Sequence, residues 1–88
     1  LGARAHAVAL DVTDSSSIAA AVAAAGPLDI LINNAGIAAT RPFLQQTEED
    51  WDRVLDTNLR GAFLVAQAVA RTMTERQQGG AIMNIASI

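Results

Sequence analysis

Small polar residues close three apolar runs of the sequence: Asp11 ends residues 6–11, Asn33 with Asn34 ends residues 28–34, and Ser87 follows residues 81–86. A fourth, Asn58, lies on an apolar helical stripe, seven residues after Trp51 and four after Val54. A carboxylate, amides and a hydroxyl at strand ends can donate and accept hydrogen bonds to a bound molecule. A thiolate site or a cluster of imidazole ligands is excluded by type, since there is no Cys and the single His is His6, and no zinc or other metal site is expected. Serine-nucleophile chemistry is disfavoured too, because no Gly-x-Ser-x-Gly elbow surrounds Ser87 and His6 lies at the far end of the chain.

The remaining composition narrows the partners. Nine acidic residues against six arginines, with no Lys, give a net charge of −3, and the arginines are scattered. No nucleic acid partner is expected, because phosphate binding needs clustered positive charge. No membrane partner is expected, because no run approaches the roughly 18 apolar residues of a span. The 88 residues have room for one small domain, and a hydrophobic content of 51%, much of it Ala, suits tight packing of helices on a sheet. Nothing near Leu1 resembles a signal peptide, and a start without Met and a stop just after an apolar run read as cut ends.

The elements that must position these groups follow from the pattern. Residues 6–11 carry apolar side chains on both parities, the mark of a strand covered on both faces. Residues 13–17 supply helix caps for residues 18–25, which Gly26-Pro27 stops. Residues 28–33 form a second strand, broken by Asn34-Ala35-Gly36, and residues 38–46 read as a loop in which Arg41 is solvated. Thr47-Glu48-Glu49-Asp50 fits a capping box opening a helix that runs to about Gln77, with a kink expected near residues 56–58 and Gly61. On that helix Trp51 and Asn58 should point inward, while Arg71 and Arg76 should be solvated charges at its end. Gly79-Gly80 leads into a third strand, residues 81–86. The order β-α-β-α-β predicts an α/β fold with a parallel sheet, whose ligands bind outside the carboxyl ends of the strands. His6 is then a strand residue without a chemical role.

Four motifs together resemble the short-chain dehydrogenase/reductase family, and its compact branch that includes the 3-oxoacyl carrier-protein reductases: Leu10-Asp11-Val12-Thr13-Asp14, Asp29-Ile30-Leu31-Ile32-Asn33-Asn34-Ala35-Gly36, Asn58-Leu59-Arg60-Gly61 and Asn84-Ile85-Ala86-Ser87. The resemblance implies a Rossmann-type, doubly wound parallel sheet, with residues 1–88 as the central part of a single NAD(P)-binding domain. It lacks the N-terminal Gly-rich unit and the C-terminal strands. By resemblance Asp11 accepts from the adenine amino group and the Val12 backbone lies along the ring. Asn33, Ala35 and Gly36 border the adenosine ribose, with Asn34 the more structural of the two amides. The catalytic set would include Ser87, donating to the substrate carbonyl, and Asn58, helping to hold a water of the proton relay.

The family's Tyr and Lys have no counterpart in this chain. The implied parent is an NAD- or NADP-dependent oxidoreductase acting on a ketone or secondary alcohol, cytoplasmic and homo-oligomeric as a dimer or tetramer. The 88 residues alone are expected to be inactive. A non-catalytic relative that binds a nucleotide or a partner is the alternative. In the family, strands equivalent to those ending at Asp11 and Asn33 are not neighbours.

Overall fold

Local signals place the first helix. A computed structural model of the chain describes residues 4–86. Helix α1, Ser15–Ala25, opens on Asp14, whose carboxylate accepts from the Ser16 N–H at 2.9 Å, and it stops at Gly26. Strand β1, Ile30–Asn33, follows. The loop beyond it contains a single 3-10 turn, Phe43–Gln45. Helix α2, Glu48–Leu55, continues through a π-helical turn, Asp56–Arg60, into helix α3, Gly61–Glu75, and strand β2 is Ala81–Asn84.

The two strands are parallel, paired from Ile30 with Ala81 to Asn33 with Asn84. Hydrogen bonds from Ala81 N to Asp29 O and from Ile85 N to Asn33 O, both 2.9 Å, extend the ladder at either end. Ile18, Val65, Val69 and Met73 form the buried core, where α1 and α3 meet over the Leu31 face of β1. Ile30 and Ile32, which alternate to the other face, are exposed. Gly80 admits a close approach at the base of this core: a Cβ there would lie 2.6 Å from Met73 Sδ and 2.9 Å from Asp29 O.

Several expectations are corrected. Residues 6–11 run without secondary structure rather than as a strand, since among the described residues no strand lies beside them to complete a ladder. The π turn realises the expected kink and turns the inward face aside. An α-helix advances by about 100° per residue, so one extra residue in a turn rotates the stripe of α2 away from that of α3. Trp51 is accordingly 67% exposed rather than inward. Arg76 is not a solvated charge: its Nη2 donates to Leu28 O at 2.6 Å and its Nη1 lies 3.7 Å from the Asp29 carboxylate, tying the end of α3 to the entry of β1.

The capping box at α2 is present in full. Thr47 Oγ1 accepts from Asp50 N and Asp50 Oδ2 accepts from Thr47 N, both at 3.1 Å. Asp50 is buried, and Arg41 and Arg53 lie 3.6 and 3.7 Å away, so Arg41 is paired although its side chain stays exposed. The Thr47 backbone hydrogen bond, opposed by burial and aided by Arg41, holds the Asp50 carboxyl below the usual carboxylate range. A folded-state value below the unfolded one, near 4, makes this contribution present above about pH 4 and lost as pH falls through the folded value. In the full-length protein, Asp50→Asn should therefore lower Tm at neutral pH, and its deficit relative to wild type should narrow as pH falls toward about 3. A deficit that stays constant across this range would contradict the assignment.

Candidate functional site

A cleft of about 900 Å³ opens at the C-terminal ends of β1 and β2. Its floor is set by an amide. Asn33, the last residue of β1, donates from Nδ2 to Ala62 O at 2.9 Å and to Asn84 Oδ1 at 3.2 Å. One half-buried side chain thus joins the ends of both strands to the first turn of α3. The bracing expected of Asn34 falls to Asn33; Asn34 is exposed and its side chain has no hydrogen-bond partner among the described residues.

The far wall depends on Asn58. Its Oδ1 accepts from Ile37 N and its Nδ2 donates to Ile37 O, both at 2.8 Å. The inward, buried amide expected from spacing is instead an exposed clamp on the chain just past Gly36, because the π turn alters the direction in which Asn58 projects. A Cβ at Gly36 would meet Asn58 Oδ1 at 3.5 Å, an ordinary contact, so the two motifs sit side by side.

At the near end Val12 lines the cleft, while Asp11, the residue before it, does not. Asp11 is fixed on several sides: Oδ1 accepts from Thr13 N at 2.9 Å and Thr13 Oγ1 at 2.6 Å, while its own N–H donates to Ser17 Oγ at 2.8 Å. The hydroxyl of Thr13, then its N–H, hold the Asp11 carboxyl below the usual range against a small effect of burial, so it is ionised at neutral pH. Among the described residues no side chain or N–H donates to its second oxygen.

Val12, Asn33, Ala35, Gly36 and Asn58 therefore share one cleft, whereas Asp11 is not among the residues that line it; Ser87 lies outside the described residues. Asn84 lines it as well and went unassigned in the sequence, where the only signal is an Asn closing each of two runs that prove to be in register. The lining holds amides, backbone and apolar groups and no ionisable side chain among the described residues, so it can bind and orient a neutral polar ligand but supplies no proton. No three His, Cys, Asp or Glu come together among those residues, and no helix among them is long and apolar enough to cross a membrane.

Comparison with known proteins bears on family and fold. The family model described as short chain dehydrogenase matches residues 1–88. The chain is 43% identical over 81 residues to carbonyl reductase (NADPH) 2 of Sus scrofa, covering 92% of this chain and 33% of that protein. It is 44% identical over 91 residues to gluconate 5-dehydrogenase of Gluconobacter oxydans, covering 99% and 35%. Among solved structures, a short-chain type dehydrogenase/reductase from Mycobacterium marinum superposes with a TM-score of 0.86 at 36% identity, over 91% of this chain and 34% of that one. The chain thus spans about a third of the length of the relatives it matches. Its fold is a partial α/β Rossmann segment, and the chain belongs to the short-chain dehydrogenase family.

Proposed function

We propose that residues 1–88 are the central part of the NAD(P)-binding Rossmann domain of an oxidoreductase that moves a hydride between a nicotinamide and a ketone or secondary alcohol. The observation that carries this reading is the single cleft shared by Val12, Asn33, Ala35, Gly36 and Asn58 at the strand ends. The names of the carbonyl reductase and the gluconate dehydrogenase support the substrate class. Either NAD or NADP fits this segment.

The residues present suit the adenosine half of a dinucleotide. Asp11, ionised and with one oxygen held by Thr13, has its other oxygen for an adenine amino group. Val12 backs the ring, and the small residues Ala35 and Gly36 let backbone approach a ribose closely. Asn33 holds the floor beneath it, and Asn58 fixes the wall at Ile37 and, with it, the water path of the proton relay. Ser87 would donate to the substrate oxygen as negative charge develops there. When bound, the nicotinamide supplies or accepts the hydride. A homo-oligomer in the cytoplasm belongs to the same reading, and the exposed Trp51 on α2 suits a helix-borne interface.

The test is an assay of the full-length protein with NADH and NADPH against a panel of ketones, following loss of the reduced nicotinamide. Ketone-dependent oxidation is the expected result. Cofactor binding without turnover would replace this reading with a non-catalytic nucleotide-binding relative. The isolated 88 residues, lacking Tyr and Lys, should oxidise neither cofactor.

A further inference from the structure

We propose that Gly61 is a positioning residue for the adenine end of the cofactor: its bare Cα is the seat on which the Asp11-Val12 segment rests. Gly61, the first residue of α3, is buried and does not itself line the cleft. A Cβ there would lie 2.8 Å from Val12 Cγ2, 3.0 Å from Val12 Cβ and 3.1 Å from the Val12 carbonyl oxygen. None of these atoms is the far end of a flexible side chain. Two belong to a β-branched group held close to the backbone, and the third is backbone, so relief requires the segment itself to move.

Among the described residues the segment is held by local contacts: the Asp11 N–H donates to Ser17 Oγ, Asp11 O accepts from Asp14 N at 3.1 Å, and Val12 packs against the core. A methyl at position 61 pushes on Val12 and thereby shifts the adjoining Asp11 carboxylate. The nicotinamide end, bordered by other residues, is left in place. The glycine of Asn58-Leu59-Arg60-Gly61 thus acts on a motif some fifty residues earlier in the sequence.

The inference rests on the adenine reading of Asp11 and Val12, and the experiment separates the two. Steady-state kinetics of the full-length enzyme are compared with reduced dinucleotide and with reduced nicotinamide mononucleotide, which lacks the adenosine half. Gly61→Ala should raise KM for the dinucleotide about tenfold, leave kcat within about twofold, and leave KM for the mononucleotide unchanged. Adding Val12→Ala to Gly61→Ala removes Cγ2 and should recover about threefold of that loss. Asp11→Ala serves as the reference. If it leaves dinucleotide KM unchanged, the adenine reading fails and the inference with it. If Asp11→Ala raises that KM while Gly61→Ala does not, or if Gly61→Ala impairs both cofactors equally, the seat is refuted and the adenine reading stands. Should Gly61→Ala not fold, Gly61→Ala in the Val12→Ala background, where Cγ2 is gone, is compared with Val12→Ala alone. A further rise in dinucleotide KM with mononucleotide KM unchanged supports the seat; equal KM values overturn it.

Discussion

Asn58→Leu in the full-length protein is expected to lower kcat/KM by about a hundredfold, because the wall of the cleft loses both of its fixings at once. The two 2.8 Å bonds between the Asn58 amide and Ile37 are one donated and one accepted, a pattern that only a group carrying both functions can satisfy. Leu carries neither and leaves an N–H and a carbonyl of the chain past Gly36 without their partner. Asn58→Asp gives a sharper test. As a carboxylate the new side chain still accepts from Ile37 N but faces Ile37 O with no proton to give, and that carbonyl favours the neutral acid. The introduced carboxyl therefore has a folded-state pKa above its ordinary value, and the defect is present above that value and relieved as pH falls through it. The ratio of variant to wild-type kcat/KM should rise as pH falls from about 7 toward about 4. A flat ratio would show that the donated bond to Ile37 O has no part in shaping the site.

The sequence is most informative where a feature is contiguous. Thr47 and Asp50 lie within one turn, so their reciprocal cap can be read from four letters, and the same holds for the stop at Gly26. Three short motifs at the ends of apolar runs and a fourth on a helical stripe likewise contribute residues to the cleft. Long-range pairings are different. Asn33 and Asn84 meet across 51 positions only because β1 and β2 are parallel in one particular register, and register leaves no periodic mark in a four-residue strand. Trp51 and Asn58 are misplaced by helical periodicity for a related reason: counting at 3.6 residues per turn assumes a regular helix, and the π turn at Asp56–Arg60 breaks the count between them and the core positions Val65 and Val69. Arg76 reads as a surface charge because the carbonyl it serves, on Leu28, is 48 residues away.

Ser87→Ala should reduce kcat of the full-length enzyme by about 10²–10³, the usual consequence of removing one donor to a developing oxyanion. Ser87 itself lies outside the described residues, but the chain leading to it does not. Asn84 is locked in register with Asn33, Ile85 N–H donates to Asn33 O, and Asn84, Ile85 and Ala86 line the cleft in succession. In the proposed reading Ser87 is the donor, and no residue of the described lining carries a charge that could replace it. The defect should be confined to chemistry: dinucleotide KM stays near wild type, since in the proposed reading the adenosine half is bounded by Asp11, Val12, Ala35 and Gly36. Ser87→Thr retains an O–H on the same carbon and should recover most of the lost kcat, whereas Ser87→Cys, a weak donor, should not. If alanine and threonine lower kcat equally, packing at the strand end rather than a donated hydrogen bond is what Ser87 contributes. If alanine raises dinucleotide KM with kcat unchanged, the residue belongs to cofactor binding and the oxyanion donor must be sought elsewhere.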